Sequence, residues 1–495
     1  MACTTILVGK KVSFDGSTMV ARNEDSGAGG YMPKKMIVVH PENQPRVYES
    51  VLSHVKINLP ENPMQYTAFP NGIDGEGLWS ACGVNSANVS MTATETITSN
   101  ERVLASDPLV RYIPAKGKEG DADYVPQTRG GIGEEDIVTI VLPYIHSAKE
   151  GVKRLGGLLE EFGTYEMNAI AFQDEQEIWW LETIGGHHWL ARRVPDDCYV
   201  IAPNQLGLDY FDFDDAFESQ DNFMCSADMR SFIEENHLDL GLEGSFNPRD
   251  AFGSHSDSDH IYNTPRAWIG QKYLNPSTAH NYDPYCDSIP WCRKPEKKIT
   301  VEDVKYILSN HFQGTDYDPY NKFADPGKRG RFRPIGVNRT NFMALVQLNE
   351  NKPDAIKSIE WVALGSNVFN ALVPQYSNID EAENYVSQTC GTVTTDSFYW
   401  VNRIIAALAD PYFNLCIPHI ERYQIKVQSL GTQIIKKYDK MIVEQKLSMA
   451  DAKPLCKQAN QEIMDMVKKE TNDVLAKVLY ESSNQMKNGF SRSDA

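Results

Sequence analysis

The sequence has no long apolar run, no excess of positive charge and no paired cysteine motif. Its longest apolar stretch, residues 137–145, contains Thr139 and Pro143 and is far too short to span a bilayer, so we expect no membrane partner. Asp and Glu number 67 against 48 Lys and Arg, and the net charge of −19 argues against a nucleic-acid partner. The chain also begins without the charged and apolar segments of a signal peptide, which favours a cytoplasmic protein.

The cysteines and histidines give little support for a metal site. Nine cysteines are spread over 495 residues without a CxxC pair, a pattern that indicates reduced thiols rather than a zinc site or a disulfide framework. The alternative is a metal held by His187 and His188, or by His255 and His260 in a loop rich in Ser and Asp. A spacing of five in such a loop is poor ligand geometry, so we expect neither a metal nor a cofactor.

The first 25 residues bring a thiol, a guanidinium and a carboxylate to one place. Residues 3–8 and 17–23 are rich in β-branched residues and are separated by glycines and an Asp-Gly turn signal, which predicts two strands of a hairpin. With residues 9–16 as the loop, Cys3 pairs with Arg22, and Asp25 follows the end of the second strand. The hairpin therefore predicts that all three side chains meet at one edge.

A thiol at this position has a chemical use. If Met1 and Ala2 are removed, Cys3 carries its own base, because the pKa of a free α-amine, about 7.7–8.0, lies near the thiol value of about 8.5. Arg22 can stabilise the thiolate, and Asp25 can accept a hydrogen bond from the ammonium. The alternative is an ordinary edge hairpin with a cysteine near its start, and these residues alone leave the two interpretations equally open.

The rest of the chain predicts a mixture of antiparallel strands and helices. Apolar spacing over residues 137–162 indicates a helical pair. Four strands between residues 168 and 202 are joined by links so short that each must lie antiparallel to the next, and Asn204 follows the last. Together these patterns predict an α+β protein with two stacked antiparallel sheets and helices outside, an αββα sandwich.

Composition divides the chain into two predicted domains. Residues 1–424 are expected to form one domain, with an irregular insertion around residues 211–297 that is rich in Asp, Ser, Asn and Pro. Residues 425–495 contain long helical stretches rich in Lys, Gln and Glu and are predicted to be a helical C-terminal extension. We interpret this extension as an assembly surface of a homo-oligomer.

Two segments carry a resemblance to a known family. Residues 2–11, ACTTILVGKK, and residues 15–25, DGSTMVARNED, closely resemble the dipeptidase A/D family of N-terminal-nucleophile (Ntn) cysteine peptidases, relatives of penicillin V acylases and bile salt hydrolases. The resemblance covers most of the chain and is most specific at its start. It implies the Ntn-hydrolase αββα four-layer fold, a freed N-terminal cysteine and hydrolysis of dipeptides without a cofactor.

The same resemblance implies roles for single residues. Cys3 matches the nucleophile and general base, and Arg22 with Asp25 matches the Arg-x-x-Asp pattern of the wider superfamily. Asn204 resembles the asparagine that helps to form the oxyanion hole, and Arg339, in Asn-Arg-Thr-Asn, matches a later active-site arginine.

Glu95 departs from the pattern of the relatives. It falls where the acylases place an asparagine on the oxyanion side, and a carboxylate side chain cannot donate a hydrogen bond there. We therefore expect Glu95 to bind substrate or to contribute only its backbone N–H. A second departure is that Ala2 would still block the amine after loss of Met1, so a further cleavage is required.

These observations predict a cysteine dipeptidase that forms a thioester acyl-enzyme once residues 1 and 2 are gone, with a dipeptide as its partner. One alternative is an amidase or acylase that acts on non-peptide acyl amides. Another is a catalytically silent Ntn-fold binding protein in which Cys3 stays capped.

Overall fold

A computed structural model of the chain describes residues 3–27, 30–73, 75, 77–93, 95–242 and 244–489. Within them, antiparallel sheets are mixed with helices, and a helical region ends the chain. The strands are β1 Thr4–Val8, β2 Thr18–Asp25, β3 Ile37–Val39, β4 Val47–Glu49, β5 Lys56–Asn58, β6 Tyr66–Ala68, β7 Cys82–Val84, β8 Ser90–Thr92, β9 Glu95–Thr96, β10 Asn168–Gln173, β11 Ile178–Ile184, β12 His188–Arg193, β13 Tyr199–Ala202, β14 Phe223–Cys225, β15 Cys292–Arg293, β16 Thr340–Leu348, β17 Ser358–Leu364 and β18 Val373–Tyr376. The helices are α1 Glu101–Ser106, α2 Glu134–Val141, α3 Ala148–Phe162, α4 Phe213–Phe217, α5 Met229–Glu235, α6 Pro248–Phe252, α7 Asp259–Tyr262, α8 Thr264–Leu274, α9 Val301–Leu308, α10 Asn384–Ser387, α11 Phe398–Ala409, α12 Phe413–Gln445 and α13 Met449–Ser483.

Two sheets organise the described residues. The first has the order β15-β13-β1-β2-β16-β17-β18, and the second has the order β14-β12-β11-β10-β8-β7 with β9 also paired to β10. All of these pairings are antiparallel. Strand β1, which follows Cys3 directly, lies near the middle of the first sheet and is buried along its whole length.

Apolar side chains cover both faces of β1. Leu7 lies in one apolar cluster with Val20 of the same sheet and Trp180 of the second sheet. Ile6, which alternation places on the opposite face, belongs to a different cluster that includes Ile420 of α12. The face that carries Leu7, and with it Cys3 and Thr5, is therefore directed towards the second sheet.

Helices α2 and α3 pack against the second sheet. Val152, Leu155 and Leu159 of α3 share an apolar cluster with Phe172 of β10 and Trp179 of β11. This is the face that the helical spacing of the sequence predicts, because positions three and four apart lie on one side of a helix.

The register of the first hairpin differs from the prediction. Thr5, rather than Cys3, pairs with Arg22, a shift of two positions. The connection between the two strands covers residues 9–17 and is longer than predicted. Its backbone bonds to the segment before β13 instead of continuing the hairpin; for example, the Lys11 amide donates to the Asp196 carbonyl at 2.9 Å. A shift of two leaves each side chain on its face, so Cys3 and Arg22 still share one face of the sheet.

The predicted four-strand meander ends one strand early. Strand β13 pairs with β1 in the first sheet, and the outer neighbour of β12 is β14. The Cys198 carbonyl accepts from the Gly9 amide at 3.0 Å, so the chain crosses to the first sheet directly after Pro195. The short link therefore joins two sheets instead of two neighbouring strands, and it delivers Asn204 to the end of β1.

Residues 211–297, predicted to be irregular, contain helices α4–α8 and strands β14 and β15 in their described part. The short helices gave no long periodic signal, yet their starts are capped by side chains such as Asp212 and Asn247. The predicted domain boundary at residue 425 falls inside α12. The division into domains stays a prediction.

The C-terminal helices α12 and α13 are attached to the edge of the first sheet. The Asn460 side chain on α13 bonds both the amide and the carbonyl of Tyr376 in β18, at 2.9 and 3.0 Å. The Tyr376 hydroxyl donates to Asp439 of α12 at 2.7 Å. These bonds satisfy part of an edge strand that would otherwise be open to pairing. No helix in the described ranges combines the length and the apolar character that a bilayer crossing requires.

Candidate active site

Cys3 lies immediately before β1 and is completely buried. Its Sγ atom accepts a hydrogen bond from Nη2 of Arg22 at 3.0 Å, which the shared face of β1 and β2 makes possible. The structure thus brings together the thiol and the guanidinium that the sequence singles out. Their catalytic roles stay predictions.

Arg22 is fixed by other buried groups. Its Nη1 donates to the Ala81 carbonyl at 3.1 Å and to Oε2 of Glu24 at 3.3 Å. The other oxygen of Glu24 lies 2.6 Å from Nζ of Lys34. The buried side chains of Cys3, Arg22, Glu24 and Lys34 therefore form one chain of contacts. Since each cation has a fixed anionic or polar neighbour, the guanidinium cannot swing away from Sγ without leaving partners unpaired.

Burial controls the protonation of the thiol. Removal from water raises the pKa of Cys3 to about 12, although the nearby Arg22 charge acts in the opposite direction. Glu95 and Asp25 raise the pKa of this thiol further through their negative charges. Cys3 is therefore protonated at neutral pH, and nucleophilic attack requires a base that takes its proton.

Asp25 lies at the same end of the sheet but does not pair with Arg22. It forms an ion pair with Arg333 and accepts a hydrogen bond from Oγ1 of Thr340 at 2.5 Å. The two residues are three positions apart on β2, so alternation directs them to opposite faces. Asp25 therefore has Arg333 as its partner, and its predicted part in the site stays a prediction.

Arg266 of α8 connects Cys3 to Asn204, and the sequence analysis does not identify it. The buried guanidinium donates from Nη1 to the Cys3 carbonyl and from Nη2 to Oδ1 of Asn204 at 2.7 Å. It also bonds Thr4 Oγ1 at 2.8 Å and Oδ1 of Asn263 at 2.6 Å. One side chain thus positions both the backbone of Cys3 and the amide of Asn204.

The surroundings of Arg266 are strongly charged. Burial and the neighbouring Arg333 lower the pKa of Arg266 to about 9, and the charge of Glu95 acts against that shift. One local signal was available in the sequence, since Thr264-Pro265 is typical of a helix start and an arginine in a first helical turn opposes the helix dipole.

Asn204 is held at both ends of its amide. Oδ1 accepts from Arg266, and Nδ2 donates to the Thr96 carbonyl at 3.0 Å. The side chain is half-buried and lines a cavity of about 360 Å³ together with Thr96, Tyr262 and Asn263. The remaining lining residues are hydroxyl-bearing or acidic: Thr98, Ser254, Ser256, Ser258 and Asp259. A cavity with many polar lining residues therefore adjoins the amide to which the family resemblance assigns an oxyanion-hole role.

Arg339 contacts the aromatic residue Tyr262 of α7. Its Nη2 donates to the hydroxyl of Tyr262 at 2.7 Å, and in the described residues it has no hydrogen bond to Cys3 or Asn204. The ring of Tyr262 also faces the guanidinium groups of Arg266 and Arg333, at 5.2 and 5.1 Å from its centroid. In the described residues Arg266 is the arginine that bonds both Cys3 and Asn204, and the role of Arg339 stays a prediction.

Glu95 lies near Cys3. It begins β9 and pairs with Ala169 of β10. Its buried carboxylate accepts a hydrogen bond from Oγ1 of Thr5 at 2.7 Å. Burial raises the pKa of Glu95 to about 7, although the charges of Arg266 and Arg22 lower it.

Three of the four histidines weighed as metal ligands contact carboxylates, and the fourth, His255, contacts the backbone carbonyl of Asp250. His187 and His188 both direct Nδ1 to Asp107, at 2.9 and 2.7 Å. His260 lies 2.7 Å from Asp287. Across the described ranges, no group of three or more His, Cys, Asp or Glu side chains is arranged to hold a metal ion.

Comparison with known proteins gives consistent matches. The model of peptidase family C69 matches residues 2–426. A dipeptidase of Bifidobacterium longum is 51% identical, with 100% of each chain covered. Probable dipeptidase B of Lactococcus lactis is 43% identical over 100% of this chain and 98% of its own, and dipeptidase A of Lactobacillus helveticus is 40% identical over 98% and 97%. The similarity therefore includes the C-terminal helices as well as the strands around Cys3.

Proposed function

The chain belongs to peptidase family C69, and from this membership we propose that it is a cysteine dipeptidase with Cys3 as its nucleophile. The names of the three relatives described above support the substrate class. The observation that carries the assignment of the nucleophile is the 3.0 Å hydrogen bond from Arg22 to Sγ of Cys3, two residues from the start of the chain. We also propose that the fold is the Ntn-hydrolase αββα sandwich, which is supported by the apolar cluster shared by the two sheets and by helices on their other faces.

The proposed reaction begins with removal of Met1 and Ala2. The freed α-amine of Cys3 then takes the thiol proton, which the burial of Sγ otherwise keeps in place. Sγ attacks the peptide carbonyl, and the negative charge on the tetrahedral oxygen is stabilised by the NH₂ end of Asn204. Such a donor is worth about 100- to 1000-fold in rate.

The second half of the reaction returns the enzyme to its starting state. The ammonium of Cys3 gives its proton to the leaving amine as the C–N bond breaks, and the acyl group remains on Sγ as a thioester. Water, deprotonated by the same amine, then attacks the thioester and releases the amino acid. Arg22 supports each negatively charged form of sulfur through its charge.

The test combines the mass of the chain with its activity. We expect the active form to begin at Cys3, to hydrolyse dipeptides and to lose activity in Cys3→Ala. Cys456→Ala is the matched control, because Cys456 is also buried and unpaired but lies on α13. A fully active chain that retains Ala2 would contradict the general-base assignment, and turnover of penicillin V or conjugated bile acids without dipeptide hydrolysis would favour an acylase.

We further propose a cytoplasmic homo-oligomer. All nine cysteines are unpaired in the described residues, which is typical of a reducing compartment. Helices α12 and α13 expose large apolar side chains, including Ile425 at 70% and Tyr480 at 68%, as an assembly surface would. Light scattering on the purified chain measures the mass of the particle in solution, and the mass of a monomer would contradict the proposed homo-oligomer.

A further inference from the structure

A carboxylate oxygen beside the nucleophile has no hydrogen-bond partner in the described part of the chain. Glu95 is fully buried, and its Oε2 accepts from Thr5, but Oε1 accepts from nothing. Most buried polar atoms are hydrogen-bonded, because an unsatisfied one costs free energy. An orphaned acceptor next to a reactive thiol is the kind of atom that a donor on a ligand satisfies.

The other carboxylates at this end of the sheet are already paired with cations. Glu24 contacts two, Arg22 and a buried lysine, and Asp25 is paired with Arg333. Glu95 has a hydrogen bond only from a neutral hydroxyl. Of these three acidic side chains, Glu95 is therefore the one with capacity for a further cationic partner.

The position of Glu95 matches the geometry of a dipeptide. In such a substrate the ammonium nitrogen is two bonds from the scissile carbonyl carbon, about 2.5 Å away, so its receptor must lie close to Sγ. Thr5, which holds Glu95, is two residues from Cys3 and on the same face of the chain. The negative charge of Glu95 is also close enough to Cys3 to raise the pKa of its thiol.

Resting on the proposed function, we propose that Oε1 of Glu95 binds the α-ammonium group of the substrate, so that the enzyme acts on peptides with a free amino terminus and rejects amine-blocked ones. The ammonium is a donor without acceptor capacity, which complements an acceptor-only carboxylate oxygen. A competing role for Glu95 is to offset the charges of Arg22 and Arg266. That role does not depend on the amine of the substrate, so the two can be separated by experiment.

The experiment compares two isosteric variants on two substrates. Glu95→Gln is compared with Glu360→Gln, because Glu360 is equally buried, accepts one hydrogen bond from Thr67 at 2.9 Å and also has an unsatisfied oxygen. The substrates are the dipeptide that the processed wild-type chain cleaves fastest and its des-amino analogue, in which hydrogen replaces the ammonium. The values of kcat/KM are measured at pH 8.

We expect wild type to prefer the dipeptide by roughly 100-fold or more, in line with a buried charge pair. Glu95→Gln should lower kcat/KM for the dipeptide by about 100-fold and leave the des-amino analogue unchanged, whereas Glu360→Gln should change neither. Equal losses on both substrates in Glu95→Gln would overturn the inference. So would wild type that cleaves both substrates equally, a measurement that needs no variant. Wild type that cleaves no dipeptide would instead refute the proposed function itself.

Discussion

Replacing Arg266 by methionine tests whether one guanidinium positions the catalytic groups. Methionine keeps an unbranched side chain of similar length but removes every donor, so the Cys3 carbonyl and Oδ1 of Asn204 lose their shared partner. Without that partner the Asn204 amide can rotate or shift from the position that stabilises the oxyanion. We therefore expect Arg266→Met to act mainly on kcat.

The expected loss in kcat follows from the hydrogen bond that the Asn204 amide would donate to the oxyanion. A displaced oxyanion donor costs about 100- to 1000-fold in kcat, which corresponds to about 3–4 kcal/mol of transition-state free energy. Arg266→Lys should rescue little, because an ammonium cannot reach the several acceptors that the planar guanidinium bonds at once. The removed charge is itself disfavoured by burial and by Arg333, which limits the loss of folding stability.

The assay is a double-mutant cycle with Asn204→Ala, read from kcat on a dipeptide. If Arg266 acts through Asn204, the double variant should have nearly the same kcat as Asn204→Ala alone, so that the two effects are far from additive. Arg249→Met is the matched control. Arg249 donates to the carbonyls of Gly207 and Ile289, at 2.6 and 2.8 Å, and does not bond Cys3 in the described residues, so its loss should affect stability only. Fully additive losses in kcat would refute the positioning role.

Three further outcomes are expected. Because Glu95 must be ionised to bind an ammonium and burial raises its pKa to about 7, kcat/KM for dipeptides should fall more steeply below pH 7 in wild type than in Glu95→Gln, which keeps only the fall set by protonation of the Cys3 α-amine. Between about pH 4.3 and 7, Glu95 holds a proton in the folded chain and releases it in the unfolded chain, so the free energy of unfolding falls as the pH rises. Glu95→Gln removes this dependence and should therefore raise Tm at pH 8 more than at pH 5. Asp25→Asn removes the carboxylate charge that faces buried Arg333 and should lower the free energy of unfolding in urea by about 3–5 kcal/mol, part of which Arg333→Met in the same chain restores; no loss in Asp25→Asn would show that the pair is not stabilising.

The parts of the fold that the sequence predicts are those set by local pattern. The capping residues Thr300 and Asp303 mark the start of α9, and the apolar spacing of residues 148–162 marks α3. The convergence of Cys3 and Arg22 was also predictable, since both lie on adjacent strands of one hairpin. The predicted strand register was wrong by two residues, but this left Cys3 and Arg22 on one face, because side chains alternate with a period of two.

What the sequence leaves undetermined depends on contacts between distant segments. The bond from Arg266 to the Cys3 carbonyl joins residues 263 positions apart, and α8 lies where composition predicted an irregular insertion. In the same way, the sequence of β13 and the short link before it look the same whether β13 stays beside β12 in a meander or crosses to β1 in the other sheet, as it does here. Arg339 was singled out by its match to a short family motif, whereas Arg266, which no such motif marks, reaches the Cys3 carbonyl only through the fold.

The state of the thiol before and after processing gives a last prediction, which requires no variant. In the chain with Ala2 in place, burial raises the pKa of the Cys3 thiol to about 12 and shields it from reagents at pH 8, whereas Cys390 is exposed to solvent. Brief alkylation of a partly processed sample should therefore modify Cys390 in all molecules and Cys3 only in peptides that begin with it. Peptide mass mapping reads both sites in one experiment. Alkylated Cys3 in peptides that still carry Ala2, at the rate seen for Cys390, would show that the buried thiol is reactive without its own amine and that another base activates it.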